Sequence, residues 1–185
     1  MRHTHIVARG VNVEPTHLAL LRNPTLWNRH RERLGPKSPH RGVDDIWVRF
    51  NDIRSLDPDN IEAMTEEHDS VWYPAYQDLR CLDDLIFPLM AATRAERLGG
   101  VLITRIPPGK MVRPHIDSGW HSTYYDKYAI QIAANSLQGW HNTDGTLVTQ
   151  PGDVFWFNNQ VLHAVTNESN EDRITLIVCL RLSKT

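Results

Sequence analysis

Cysteine is nearly absent: Cys81 and Cys179 are the only two in 185 residues. So few thiols exclude a disulfide framework and make a reducing cytoplasm the expected setting. No apolar run approaches the roughly 20 residues that cross a bilayer, so no membrane association is expected. The start, Met1-Arg2-His3-Thr4-His5-Ile6, lacks the apolar core of a secretion signal. There is no repeat, no low-complexity tract and no linker, so residues 1–185 are expected to form one domain. Strong net charge is missing too: 20 Lys and Arg face 22 Asp and Glu, a balance of −2 that does not advertise nucleic-acid binding. What remains is ordinary globular material, 41% hydrophobic and 23% charged, enough for a sizeable core.

The charge is unevenly spread. Arg2, Arg9, Arg22, Arg29, Arg31, Arg33, Lys37 and Arg41 face only Glu14 and Glu32 in residues 1–41, a balance of +6 that leaves −8 for the rest. A basic face for an anionic partner, nucleic acid included, is one reading. Pairing within the molecule is the commoner one.

Two halves are expected, a mixed α/β layer over residues 1–98 and a barrel over 99–185. Asn23-Pro24-Thr25-Leu26 has the cap-then-proline signature of a helix running toward Arg33 and stopping at Gly35-Pro36. Asp45 to Phe50 reads as a strand with Ile46, Val48 and Phe50 on one face, and Asp57-Pro58 opens a short helix. Leu82 to Leu98 has helical spacing, with Pro88 predicting a kink and Gly99-Gly100 ending it. From Gly99 onward short strands alternate with turn clusters such as Pro107-Pro108-Gly109 and Asn142-Thr143-Asp144-Gly145. That rhythm predicts a mainly β (α+β) fold, an eight-stranded jelly roll or double-stranded β-helix of cupin-like form, under an N-terminal helical layer.

The chemistry concentrates in Pro114-His115-Ile116-Asp117-Ser118-Gly119, His163 and Arg173. His115 and Asp117 are one residue apart, so on an extended strand both side chains leave the same face. His163 has enough chain before it to cross a barrel and return. Two imidazoles and a carboxylate leave roughly three of six positions open, the facial arrangement of non-heme Fe(II) oxygenases. Arg173 opens the strand Arg173-Ile174-Thr175-Leu176-Ile177-Val178-Cys179-Leu180, whose period of two puts Arg173, Thr175, Ile177 and Cys179 on one face. A guanidinium on such a face is costly unless an anion meets it, and a carboxylate would accept its fork in two parallel hydrogen bonds. A salt bridge to Glu171 or Asp172 is the bland alternative.

These residues resemble the signature of the Fe(II)/2-oxoglutarate-dependent dioxygenases: His-x-Asp, a distal His, and an Arg about ten residues later. Over roughly Gly99 to Arg181 the chain looks most like the aspartyl/asparaginyl β-hydroxylase-like branch. The carrying segments are Val101 to Gly109, Arg113-Pro114-His115, Gly152 to Asn159 and Leu162-His163-Ala164-Val165. The resemblance implies that His115, Asp117 and His163 hold Fe(II), and that Arg173 with Thr104 holds the distal carboxylate of 2-oxoglutarate. It implies dioxygen as second cosubstrate, succinate and carbon dioxide as products, and hydroxylation of an unactivated C–H bond. Some members of the branch replace the carboxylate ligand by a small residue, whereas this chain retains Asp117. Where the branch has an Arg and a His on the next strand, this chain has Lys127 and Ala129. Lys127 is the expected second cosubstrate contact, an ammonium without the fork geometry, and Thr175 accompanies Arg173.

The expected substrate is a small molecule or an amino-acid or peptide side chain. Ser118 to Asp126 carries a glycine and several aromatics, as a lid would, and Trp120, Tyr124 and Arg105 are the candidate substrate residues. For Arg105 the blander account is a strand-edge arginine facing water. His121 reads as a surface residue, and His40, His68 and His141 as structural, with His40 and Arg49 weak substrate candidates. The N-terminal stretch Arg29 to Arg49 is the fallback substrate site. A cupin-type metalloenzyme without 2-oxoglutarate and a non-catalytic jelly-roll binding module are the competing readings.

Overall fold

The computed structural model describes residues 3–56 and 58–183. In chain order the elements are β1 (Thr4–Ala8), α1 (Glu14–Arg22), β2 (Asp44–Phe50), β3 (Val71–Trp72), α2 (Ala75–Asp78), α3 (Asp83–Thr93), β4 (Ala95–Ile106) and β5 (Met111–His115). There follow α4 (Trp120–Tyr124), β6 (Asp126–Ala133), β7 (Gln138–Asn142), β8 (Gly145–Val148), β9 (Val154–Phe157), β10 (His163–Asn167) and β11 (Arg173–Leu182). One sheet has the order β1-β9-β6-β11-β4-β2-β3 and the other β5-β10-β7-β8. Every pairing is antiparallel. The eight strands β4 to β11 divide four and four between the sheets in jelly-roll order, as the spacing of turns after Gly99 predicts. The first half of the chain adds β1 to one edge of the large sheet and β2-β3 to the other, and the two sheets do not close into one.

Two of the three apolar clusters follow from the alternation of the strands. Ile130, Ile132, Leu176, Val178, Val101 and Ile103 face outward under α1 and α3, where they meet Leu20, Leu82, Leu85 and Ile86. Ile106, Ala129, Phe155, Phe157, Val112, Trp140 and Val165 fill the space between the sheets. Each such large side chain stabilises the fold by roughly 1.5–3 kcal/mol on burial.

The first half departs from the sequence expectation in three places. Pro24 to Arg33 is not a helix: 3-10 turns at Pro24–Leu26 and Glu32–Leu34 flank Asn28, whose φ of +59° breaks any helical run. The helix expected from Leu82 to Leu98 ends at Thr93, capped by Arg94 in the left-handed region, and Gly99-Gly100 lie inside β4. They are glycine because rings pack on them: a Cβ on Gly99 would meet Tyr125 at 2.8 Å, and one on Gly100 would meet Phe50 at 3.0 Å and His121 at 3.1 Å. In β2 a bulge between Trp47 and Arg49 breaks the alternation. Ile46 and Val48 therefore join the outer core while Phe50 packs with Trp47, Tyr73 and Leu102. Pro58–Thr65 is a 3-10 segment broken at Asn60; the expected opening residue Asp57 lies outside the described residues.

Candidate metal centre and anion pocket

His163 on β10 stands directly across from His115 on β5. This register, rather than any local motif, brings the two imidazoles together, with ring centroids 4.4 Å apart. Asp117 lies two residues past the end of β5, in a loop rather than on the strand, where its N–H donates to the Asn159 carbonyl at 3.1 Å. The ligand atoms of His115, Asp117 and His163 fall within 4.8 Å of one another. No other such cluster of His, Cys, Asp and Glu occurs among the described residues.

Both histidines are prepared alike. His115 Nδ1 lies 2.8 Å from the Arg113 carbonyl and His163 Nδ1 lies 2.9 Å from the Val161 carbonyl. A carbonyl only accepts, so each Nδ1 carries a proton; the neutral form of such a ring has its lone pair on Nε2, the nitrogen that in His115 lies 3.3 Å from Asp117 Oδ1. Burial lowers the pKa of His163, which favours that neutral form. Burial pushes the Asp117 carboxyl up, but Lys127, His115 and His163 together outweigh it and hold the group well below the usual carboxylate range. Trp140 stacks on His163 at 5.1 Å and 8°, fixing the ring plane.

The inner face of the large sheet supplies the rest, row by row. Cys179 and Lys127 pair across β11 and β6; next come Ile177, Ala129 and Leu102; then Thr175, Gln131, Thr104 and Asp45; and finally Arg173 beside Ile106. Lys127 reaches from the first row to Asp117 Oδ2, with Nζ at 2.5 Å. Burial raises the Cys179 thiol to about 11, so it is an inert neutral group. At the far end Arg173 is fully buried. Its only polar contact is a long one, Nη2 to Thr149 Oγ1 at 3.4 Å, and neither Nε nor Nη1 has a partner among the described residues. Burial alone pulls its pKa down to about 10. The salt bridge to Glu171 or Asp172 is not made: Glu171 takes the Asn135 amide and Asp172 lies 3.9 Å from Arg105.

Residues that sequence reasoning missed hold this end in place. Gln131 donates to the Ala133 and Ile174 carbonyls, both at 2.8 Å, and accepts from Thr149 at 3.0 Å and Thr175 at 3.4 Å. The Thr149 proton is thus spent on Gln131, which leaves its lone pair for Arg173. The one signal was Gln131 itself, a polar residue between Ile130 and Ile132 on the same parity as Lys127. Thr104 lies on the inner face, but its hydroxyl donates to Asp45 Oδ1 at 2.8 Å, so its proton is already committed.

Of the substrate candidates, Arg105 does not face the triad. Arg105 shares its face with Asp44 and Ile174, opposite Thr104; it pairs with Asp44 at 2.8 Å and lies over the Trp27 ring. Trp120 and Tyr124 stack on each other in α4 at 4.6 Å, and Tyr124 lies under Arg181. The expected loop is therefore a short helix, tied down by Asn159 Nδ2 donating to the Ser122 carbonyl at 2.7 Å. His121 is no surface residue. It is 5% exposed, and its Nε2 accepts from the Gly100 N–H at 3.2 Å. Burial drives its pKa down to about 3, so it is neutral with the proton on Nδ1. His40 packs edge-on against His115, with ring centroids 5.3 Å apart, and burial beside Arg33 lowers its pKa well below the ordinary value. A hollow of about 520 Å³ lies elsewhere, between α1 and the Gln77 to Cys81 turn on the helix-covered face. Its lining has no metal-ligand cluster, so the chemistry and this hollow do not coincide.

Residues 84–181 match the aspartyl/asparaginyl beta-hydroxylase family, more than half of the chain. The chain belongs to that family. No curated protein sequence matches it significantly. Solved structures share its fold over nearly its whole length. An oxidoreductase of the 2OG-Fe(II) oxygenase family from Burkholderia pseudomallei is 15% identical, with a TM-score of 0.59 over 98% of this chain and 89% of that one. A Pseudomonas putida prolyl-4-hydroxylase is 16% identical, with a TM-score of 0.56 over 99% and 94%. The viral collagen prolyl hydroxylase of Paramecium Bursaria Chlorella virus-1, in its 2OG complex, is 11% identical with a TM-score of 0.55 over 98% and 97%. At such identities the likeness establishes the jelly-roll fold; the hydroxylase class comes from the family.

Proposed function

We propose that the protein is an Fe(II)- and 2-oxoglutarate-dependent oxygenase that hydroxylates an unactivated C–H bond of a small molecule or of an amino-acid or peptide side chain. The observation that carries this reading is Arg173, a buried guanidinium with two nitrogens that have no partner among the described residues, on the same sheet face as Lys127. Leaving such a group unmatched costs several kcal/mol, and a carboxylate is the ligand that its planar fork fits. The donor set also fits the ion: two neutral imidazoles and a carboxylate suit non-heme Fe(II), whereas zinc in structural sites favours a closed tetrahedron. Fe(II) bound by His115, Asp117 and His163 supplies oxygen activation coupled to oxidative decarboxylation of 2-oxoglutarate.

The chain's own residues do the rest. Arg173, with Thr175 beside it and Thr149 and Gln131 behind it, binds the distal carboxylate of the cosubstrate. Lys127 balances the charge of Asp117 and of the carboxylate placed near the metal. Trp140, Phe157 and Ile177 wall the space between with apolar surface that excludes water. The reading without 2-oxoglutarate gives Arg173 no ligand. The test is succinate formation from 2-oxoglutarate with Fe(II) and dioxygen, together with the 2-oxoglutarate dependence of Arg173→Ala. Iron-dependent succinate formation whose 2-oxoglutarate requirement rises steeply in Arg173→Ala supports the proposal. An unchanged requirement in the variant would return the choice to a metalloenzyme that does not use this cosubstrate.

A further inference from the structure

The expected carboxylate reader Arg105 faces away from the metal centre, yet another arginine approaches it through His40. Residues 28–43 form a strap lying across β5, where the Arg113 N–H donates to the Pro39 carbonyl at 3.0 Å. Ser38 closes the strap on itself: its hydroxyl donates to the Arg33 carbonyl and accepts from the His40 N–H at 3.0 Å. The strap thereby carries two side chains inward, His40 onto His115 and Arg33 onto the inner face of β2.

The setting of Arg33 is unusual for a structural ion pair. Nη1 donates to Asp45 Oδ2 at 3.0 Å, with the arginine side chain 18% exposed and the carboxylate fully buried. Asp45 is held in turn by the Thr104 hydroxyl at 2.8 Å, and its N–H donates to Asn28 Oδ1 at 3.1 Å. Nη2 donates to His40 Nε2 at 3.1 Å; because arginine only donates, His40 is the acceptor there. Nη1 thus meets one carboxylate oxygen rather than closing a fork, and Nη2 also lies 3.5 Å from His40 Nδ1. Nε makes no hydrogen bond among the described residues, which leaves its N–H for a ligand. As a stabilising device a buried pair of this kind is poor, since apolar residues of similar volume do as well or better. It does aim a guanidinium at the neighbourhood of a metal ligand and lock its orientation.

We propose that Arg33 is a substrate-binding residue of the metal pocket, receiving a singly charged carboxylate of the substrate, with Asp45 and Thr104 as the positioning residues that orient it. The inference rests on the oxygenase reading above. Charge balance points the same way. A divalent ion with Asp117, a dianionic cosubstrate between Lys127 and Arg173, and the neutral pair Arg33–Asp45 together leave one positive charge uncompensated. A substrate group with one negative charge cancels it.

The test uses the protein loaded with Mn(II), which occupies the metal site without turnover. Calorimetry is run with and without 2-oxoglutarate, against a panel of small amino, hydroxy and aliphatic acids and the matching carboxamides. The expected result is at least one acid that binds about 100-fold more tightly than its amide, the span of a lost charge-assisted pair. Arg33→Gln should weaken that acid about 30- to 1,000-fold, leave the amide within about threefold and leave 2-oxoglutarate within about twofold, and Arg33→Lys should recover part of the loss. Because Arg33→Gln strands the Asp45 carboxylate, the charge-neutral pair Arg33→Gln with Asp45→Asn is measured beside it and should give the same selectivity. Acid and amide binding alike, an acid indifferent to Arg33, or a loss confined to 2-oxoglutarate would each overturn the assignment. Failure of the wild-type protein to bind 2-oxoglutarate would sink the oxygenase reading instead, and discrimination of acid from amide on the Mn(II) protein would still report on Arg33.

Discussion

Replacing Arg173 with methionine should move stability and cosubstrate affinity in opposite directions. Methionine keeps an unbranched chain of similar reach and removes the charge. The guanidinium is fully buried, with Nε and Nη1 unpartnered and one contact of 3.4 Å to Thr149. The fall of its pKa from the ordinary arginine range to about 10 corresponds to roughly 3 kcal/mol of lost cation solvation. Unmet buried donors cost about 1–3 kcal/mol each by an independent route, so the two figures agree in scale. After allowance for imperfect repacking, Arg173→Met should stabilise the protein without ligands by about 1–3 kcal/mol, a rise in Tm of roughly 2–12 °C at this size. Binding of 2-oxoglutarate loses two charge-assisted hydrogen bonds, about 3–6 kcal/mol, or roughly two to four powers of ten in Kd. Differential scanning fluorimetry with Mn(II), with and without 2-oxoglutarate, reads both effects, and calorimetry gives the affinity. A variant several degrees less stable, or one whose melting still responds to 2-oxoglutarate as the parent does, would refute the reasoning.

Asp117→Ala should lower Mn(II) affinity by at least about 10- to 100-fold while circular dichroism keeps the parent spectrum, since its backbone tie to Asn159 survives; metal retention at the parent affinity would remove Asp117 from the ligand set. Lys127→Met should destabilise the metal-free protein by about 3–5 kcal/mol, because it strands a half-buried carboxylate, and should tighten Mn(II) binding by ending the competition for Asp117 Oδ2; an unchanged Tm and an unchanged metal affinity would contradict it. His121 has a folded pKa of about 3 against 6.5, with burial the largest cause, so on acidification the unfolded chain takes up the proton first. Its share of stability is lost from about pH 6.5 down to about pH 3, at most about 1.4 kcal/mol per pH unit. Urea unfolding across that range should therefore be flatter in His121→Phe, and parallel curves would place the acid sensitivity elsewhere.

The parts of the site that were legible in the sequence are those that strand alternation encodes. Arg173 and Thr175 share a face because they are two residues apart, and the structure keeps them there. The same rule forbids Thr104 and Arg105 from both facing the pocket, so the pair of expectations was inconsistent before any fold was known. Gly99-Gly100 read as a helix stop because glycine's usual signal is backbone freedom; here the requirement is space for the Tyr125 and His121 rings, which chain order does not reveal. Arg33 and His40 carried no periodic signal at all, and for Asp45 alternation gave only its place opposite Ile46 and Val48 in the strand. They meet His115 and Thr104 only through the strap and the β2–β4 register, contacts between distant parts of the chain.

The two ends of the pocket are held by different means, and that difference bears on how the site works. Arg173 opens β11, a strand hydrogen-bonded on both sides by β4 and β6, and Gln131 anchors its surroundings through two backbone carbonyls. The anion end is therefore fixed before any ligand arrives, which lowers the ordering cost of binding a carboxylate there. The metal end is assembled from the tail of β5, a loop residue tied by one backbone hydrogen bond, and a strap closed by its own side chains. Its geometry depends on the charges that meet in it: Lys127 holds Asp117 through one oxygen while the other faces His115 at 3.3 Å. On the proposed reading, metal and substrate act on the adaptable end, against a cosubstrate anchor set in the middle of a sheet.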